Sequence, residues 1–206
     1  MKTLLFCTAY ASSPDVWDTR YKPWYEHYTN SNLAFDRILL IDDGSSSVPD
    51  FCKPNEFYQF ETHLGRQALY LYPGWYRSFG YAVKYAQENE YQKIVHAESD
   101  AYFLSDRILS FINSTDSGWH TFWCARHNLC ESALQIIGPD MLGLYRSFIE
   151  KPYEEYSGKC LDLMLPYTTV HKEFIGDRYG EWLSEIPEDA DYSCQTTPEM
   201  VKRWGV

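Results

Sequence analysis

The chain has 206 residues, 45% of them hydrophobic, which suits a single domain with a sizeable core and excludes disorder. Its formal charge of −11 argues against nucleic acid and anionic membranes as partners. It leaves room for a nucleotide, because a divalent cation can bridge acidic side chains and a diphosphate.

The stretch from Met1 to Ala11 carries a Lys, an apolar patch and an Ala9-x-Ala11 spacing, as a secretory leader would. Its apolar core, Leu4 to Cys7, falls short of the roughly 7–15 residues that a leader needs, so it reads as a first strand. No apolar run approaches ~18 residues, so no transmembrane segment is expected. The cysteines (Cys7, Cys52, Cys124, Cys130, Cys160, Cys194) are scattered without a C-x-x-C pair. That pattern suits reduced, mostly buried thiols in a cytoplasmic protein rather than a zinc site.

Apolar residues 3–10 form the first expected strand, closed by Ser12-Ser13-Pro14. Trp17, Tyr21, Trp24, Tyr25 and Tyr28 read as the packing face of a segment joining it to the second strand, 37–41. That run ends in Asp42-Asp43-Gly44-Ser45, a turn signal. Residues 56–60 read as a third, shorter strand, and Phe79, Ala82, Val83 and Ala86 follow helical spacing. A strand over 93–98 comes next, then a helix capped by Ser105 with the stripe Ile108, Leu109 and Ile112. Residues 119–124 and 133–137 are strand candidates, Pro139 starts a helix running to Phe148, and 170–174 read as a late strand. Residues 185–198 are acidic, polar and irregular. Strands spaced by helices predict an α/β fold with a doubly wound, mostly parallel sheet in one domain spanning 1–206.

No G-x-G-x-x-G follows the first strand and no P-loop motif occurs, which argues against a dinucleotide-dependent oxidoreductase and a P-loop NTPase. Three successive strands instead end in polar groups: Thr8-Ala9-Tyr10, Asp42-Asp43-Gly44-Ser45 and Glu98-Ser99-Asp100. In a parallel sheet these ends share the carboxyl edge, where open α/β proteins bind ligands. The acid-x-acid pair suits Mn2+ or Mg2+ shared with a diphosphate, since hard cations take carboxylate and phosphate oxygens.

This order resembles the T-x-Y … D-D-G-S … D-x-D pattern of GT-A fold, nucleotide-sugar glycosyltransferases of the family-2-like kind. The resemblance covers Met1 to about Leu109, half the chain. It implies a Rossmann-like domain with a nucleotide-sugar and metal half, 1–110, and an acceptor half, 111–206. It implies a hexosyl transfer from a UDP-sugar donor to a carbohydrate or glycoconjugate acceptor. Thr8 and Tyr10 would line the uracil pocket, Asp42 would contact the base, and Glu98 and Asp100 would hold the metal. Glu at the first acidic position departs from the pattern, and its longer arm could reach ribose or sugar. Arg66 and Arg77 are the candidates for the diphosphate, with Arg77 preferred because it precedes the helix that feeds the metal strand. His171 would be the third metal ligand, while His96, inside the strand, packs or orients a carboxylate. Asp177, flanked by Gly176, and Asp140, after Gly138-Pro139, are the candidate bases, with Asp177 preferred.

Eighteen Tyr and seven Trp make the chain rich in surfaces that stack on sugars. Trp75, Tyr76, Trp119, Tyr179 and Trp182 are the ones expected beside the site. Two other readings stand open. A nucleotidyltransferase would want a Gly-rich basic loop where the chain has Ala11-Ser12-Ser13-Pro14-Asp15. A non-catalytic carbohydrate-binding module would bind sugar without nucleotide or metal.

Overall fold

In the computed structural model, which describes residues 1–156, 158–160, 163–182 and 185–204, strand β1 (Thr3–Ala9) is buried along its whole length. The chain then enters α1 (Pro14–Val16), a π-helical turn (Trp17–Tyr21) and α2 (Lys22–Asn30). Strands β2 (Arg37–Asp42) and β3 (Phe57–Gln59) lead to α3 (Pro73–Glu88) and β4 (Lys93–Ala97). A two-residue β5 (Tyr102–Phe103) precedes α4 (Asp106–Ser114), where Ser105 Oγ accepts from Ile108 N as the sequence predicts. Strands β6 (Trp119–Cys124) and β7 (Leu129–Ile137) are followed by α5 (Leu142–Ile149). Short β8 (Thr169–His171), β9 (Gly176–Asp177), β10 (Tyr192–Ser193) and a last helix, α6 (Pro198–Trp204), complete the order. No described helix is long and apolar enough to cross a membrane.

Seven strands form one sheet in the order β3-β2-β1-β4-β7-β6-β8. β1, β2, β3 and β4 run parallel; β7 is antiparallel to both β4 and β6, and β8 is parallel to β6. Six of the seven therefore point the same way, and β7 alone is reversed. The reversal follows from the connection between β6 and β7. It spans only residues 125–128, far too short for a crossover, and Asn128 takes up a positive φ of 54° to close it. A separate three-stranded sheet, β5-β10-β9, brings the irregular C-terminal region back beside β4.

Strand alternation divides the core. Leu5, Cys7, Ile38, Leu40, Val95 and Ala97 face the layer that holds Trp24, Tyr28 and Ile108, from α2 and α4. Leu4, Phe6, Leu39, Ile41 and Ile94 face Phe79, Val83 and Tyr145, from α3 and α5. Helices thus cover both faces, as the alternating pattern predicts. The Trp17, Tyr21, Trp24 and Tyr28 face is buried as expected. Of the six cysteines expected to be mostly buried, Cys7, Cys124 and Cys194 are buried and Cys52, Cys130 and Cys160 are half-buried.

His27 sits on α2 with its Nε2 2.9 Å from the Phe103 carbonyl and its ring edge-on to Tyr28 and Tyr102. Burial lowers its imidazole from 6.5 to about 4, against the pull of that carbonyl. The unfolded chain therefore takes up this proton first, so stability present above pH 6.5 is lost as pH falls towards 4. Between pH 7 and pH 5 this group is expected to remove about 1–2 kcal/mol. Urea unfolding at the two pH values measures it. A pH slope that persists unchanged in His27→Gln would contradict this origin.

Candidate functional site

Because β1, β2 and β4 are parallel neighbours, Thr8, Asp42 and Glu98 leave the sheet at one edge. The pairing of Phe6 with His96 sets Thr8 level with Glu98, and Thr8 Oγ1 donates to Glu98 Oε2 at 2.7 Å. The Trp75 indole N–H, from the first turn of α3, donates to Glu98 Oε1, and His96 Nε2 lies 3.0 Å from the same oxygen. His96 is fixed in turn. The Gln135 amide N–H donates to its Nδ1 at 3.2 Å, while Gln135 Oε1 accepts from Trp119 Nε1 at 2.8 Å. With Nδ1 accepting, the imidazole carries its proton on Nε2, towards Glu98. His96 thus orients a carboxylate, as expected from its place in the strand. Burial pushes the Glu98 carboxyl up. The nearby His96 and hydrogen bonds from His96, Thr8 and Trp75 outweigh it, and the group sits below the usual glutamate range.

Ser99 and Asp100 meet Arg20 of the π-helical turn. Arg20 Nε donates to Ser99 Oγ at 2.5 Å and Nη2 to Asp100 Oδ2 at 2.9 Å. Burial raises the Asp100 carboxyl, Arg20 opposes the rise and the Glu98 charge adds to it, leaving Asp100 above the usual aspartate value. Arg20 was not foreseen, although a signal existed. Trp17, Arg20, Tyr21 and Trp24 occupy positions i, i+3, i+4 and i+7 of a helical repeat, which puts a charge on a buried aromatic face.

Two cavities open at this edge. One, of about 430 Å3, is lined by Thr8, Tyr10, Asp43, His63 and Arg66, with Tyr10 stacked on His63 at 3.7 Å between ring centres. The other, of about 390 Å3, is lined by Tyr70, Asp100, Glu131, Cys160, Arg178 and Gln195. Arg20, Tyr72, Trp75 and Glu98 line both and form the wall between them. In the second cavity Arg178 grips the buried Glu131, with Nε to Oε2 at 2.6 Å and Nη2 to Oε1 at 3.2 Å. The first cavity draws only on residues before 110, and the second on both halves of the chain.

No protein-family model matches the chain, and no curated protein does. Solved structures do. A glycosyltransferase involved in the glycosylation of the major capsid of PBCV-1 aligns with a TM-score of 0.58 at 14% identity, covering 100% of both chains. The apo form of the glycosyltransferase GlyE of Streptococcus pneumoniae TIGR4 aligns with a TM-score of 0.60 at 12% identity, over 100% of this chain and 60% of that one. The galactosyltransferase LgtC, solved with donor and acceptor sugar analogues, gives 0.51 at 8% identity, over 98% and 94%. The fold is GT-A. At these identities the likeness is one of fold, and the site has to be argued from its own residues.

Of the site residues the sequence suggests, the GT-A edge brings together Thr8, Tyr10, Arg66, Glu98 and Asp100. Asp42 is elsewhere. It is wholly buried, and its oxygens accept from Gly44 N (3.1 Å), Ser45 N (2.7 Å), Ser45 Oγ (2.5 Å) and Gln59 Nε2 (3.0 Å). It holds a turn and has no acceptor capacity to spare for a base. Its neighbour Asp43 lines the cavity instead, accepting from Gly65 N at 2.8 Å and from Arg77. Arg77 lies behind Asp43, bonded to the Thr62 carbonyl and stacked 4.0 Å over Phe60. Two residues past Trp75 is about 200° round the helix, so Arg77 turns away from the cavity that Trp75 faces. Arg66 is the one that lines it, its guanidinium bonded to the Ala68 and Leu69 carbonyls at 3.2 Å each.

His171 stands apart from the carboxylates because β8 lies three strands from β4. Its Nε2 faces His120 Nδ1 at 2.9 Å and its Nδ1 faces Glu173 at 2.6 Å, so both ring nitrogens are engaged. Asp140 follows the reversed strand β7 and therefore sits at the opposite edge of the sheet, accepting from Gly118 N at 2.8 Å. Asp177 precedes Arg178, which lines the second cavity, but its own carboxylate accepts from Cys124 Sγ, Arg126 N and Arg178 N, closing the end of the β6–β7 hairpin. Trp119 is buried in the core and Tyr76 is tied to the Phe148 and Lys151 carbonyls, while the Trp182 side chain lies outside the described residues.

The donor set for Mn2+ or Mg2+ does not fit this arrangement. Both Glu98 oxygens are taken by Thr8, Trp75 and His96, Asp100 is paired with Arg20, and His171 is engaged elsewhere. Among the described residues no three His, Cys, Asp or Glu side chains converge to hold an ion.

Asp42→Ala is expected to destabilise the protein by about 3 kcal/mol, because it leaves several buried donors unpaired. Urea unfolding at pH 7 checks this. A loss below about 0.5 kcal/mol, the range of ordinary surface changes, would return Asp42 to a ligand-binding role.

Proposed function

We propose that the chain is a glycosyltransferase that moves a hexose from a UDP-sugar to a hydroxyl of a carbohydrate or glycoconjugate. The observation that carries this reading is the pair of cavities sharing the wall of Arg20, Tyr72, Trp75 and Glu98 at the carboxyl edge of a GT-A sheet. A nucleotide-sugar has the same bipartite shape: base and ribose on one side, sugar on the other, and the diphosphate between.

On this reading the base stacks on Tyr10 or His63, which already form an aromatic face, and Asp43 and Arg66 border the ribose and phosphates. The sugar enters the second cavity, against the aromatic rings of Tyr70 and Tyr72 and the polar groups of Glu131, Arg178 and Gln195. The bond from the anomeric carbon to the diphosphate breaks, its electron pair leaving with UDP, as the acceptor oxygen bonds to that carbon. Glu98, held ionised by Thr8, Trp75 and His96, faces both cavities and borders the reacting centre. Asp177 and Asp140 are not assigned as bases, since one is spent on backbone donors and the other lies at the opposite edge. No step is drawn through a metal ion. The division into a nucleotide-binding half and an acceptor half is kept in this reading, as is a cytoplasmic setting in which the buried thiols stay reduced.

Calorimetric titration with UDP tests the reading. Wild type is expected to bind, and Tyr10→Ala to bind about 10-fold more weakly, the size of one lost base–aromatic stack. Binding of free sugars with no response to any nucleoside diphosphate would replace the transferase with a carbohydrate-binding module.

A further inference from the structure

We infer that Arg20 takes the place of a divalent cation at the donor diphosphate, so that donor binding and sugar transfer do not require a metal. The inference rests on the transferase reading and goes beyond it, since the acid-x-acid pair would otherwise call for Mn2+ or Mg2+.

The argument begins with Glu98. Its Oε1 accepts from the Trp75 indole and lies 3.0 Å from the wholly buried His96 Nε2, and its Oε2 accepts from Thr8, so an ion would have to displace or share these groups. Leaving such donors unpaired is costly. Glu98 is therefore committed to protein donors. Asp100 is committed to a cation already present, since Arg20 reaches it at 2.9 Å and is braced by Ser99 at 2.5 Å. Ser99 and Asp100 thus position a guanidinium in the role that a metal would otherwise fill.

Arg20 also stands where a diphosphate would pass. It belongs to the wall shared by the two cavities and lines a third, beside Thr19, Asp100 and Gln195. Its side chain is 46% exposed although both of its side-chain partners are largely buried. A guanidinium has five N–H donors, and the bonds to Ser99 and Asp100 use two of them. The other three suit the forked contact that Arg makes with phosphate oxygens. The remaining arginines of the cleft are less available. Arg178 is gripped by Glu131 on two bonds, and Arg66 is tied to backbone carbonyls.

In the transfer step the anomeric C–O bond breaks and its electron pair passes to the terminal phosphate oxygen of UDP. Arg20 donates hydrogen bonds to that oxygen as its charge develops. The acceptor hydroxyl oxygen forms the new C–O bond and its proton leaves to water. Preorganised donors aimed at developing charge are the usual source of such stabilisation.

The test is calorimetric titration of UDP into the full chain, in EDTA and in Mn2+, for wild type, Arg20→Ala, Arg20→Lys and Asp100→Asn, with thermal melting to confirm folding. Wild type is expected to bind UDP with the same affinity, within about twofold, in both buffers. Arg20→Ala should weaken binding at least tenfold, and Arg20→Lys less, because a point charge keeps attraction but loses the fork. Asp100→Asn provides the sharpest contrast and does not depend on Arg20→Ala folding. If Arg20 is the cation, removing the Asp100 charge tightens UDP binding in EDTA. If a metal is the cation, Asp100→Asn weakens binding in Mn2+. UDP binding that requires Mn2+ and is lost in Asp100→Asn would overturn the arginine inference and leave the transferase reading standing. Absence of UDP binding by wild type in either buffer would overturn both.

Discussion

The parallel register between β1 and β4 is the constraint on which the site depends. Pairing Phe6 with His96 stacks those two rings at 4.5 Å in the core, and two residues further along it delivers Thr8 to Glu98. A slip of one residue would turn every one of these side chains to the other face of the sheet. Both faces are apolar, so the register is held by side-chain fit, with Leu5, Cys7 and Val95 packed on the α2–α4 side and Leu4, Phe6 and Ile94 on the α3–α5 side. The polar site thus takes its geometry from the packing beneath it.

From that register the network extends outward by hydrogen bonds that are each fixed by the next. Trp119 holds Gln135, Gln135 holds His96, and His96 together with Thr8 and Trp75 holds Glu98. The network draws on four strands and one helix, so the carboxylate is fixed by elements distant in sequence. The same reasoning explains why the reversed strand β7 matters. Gln135 and Glu131 both lie on it, so one antiparallel strand supplies the brace behind Glu98 and the partner of Arg178 in the second cavity.

Much of the fold was legible because its signals are local. The cap at Ser105, the span of β6 and the helical stripe of α3 follow from short-range rules, and the structure has them where the sequence puts them. The reversal of β7 was hidden because residues 125–128, Ala-Arg-His-Asn, contain no Gly or Pro to announce a hairpin. Two-residue strands such as β5, β9 and β10 have no periodicity to read. In the site, the acid pair and the three polar strand ends were visible, whereas strand parity places Asp43 rather than the expected Asp42 at the cavity. Asp42 continues the Ile38 and Leu40 face, while Asp43 continues the Leu39 and Ile41 face that carries Thr8, Glu98 and α3. His171 and Asp140 were misplaced for a different reason: their positions depend on strand order and direction, which only tertiary pairing decides.

Arg20 brings the fold and the site into contact. The carboxyl edge of an open α/β sheet is where ligands bind, but the fold does not specify which charged groups stand there. Here a helical segment begins directly after β1, and its Trp17, Tyr21 and Trp24 bury against the sheet. Burying that aromatic face carries Arg20 over the end of β4, where Ser99 and Asp100 receive it. Separating such a pair leaves a poorly solvated carboxylate behind, which is costly even where one partner remains partly exposed. The aromatic packing therefore fixes a cation at this edge before any ligand arrives. In a chain with a formal charge of −11, it sets a positive group among the carboxylates of the cleft.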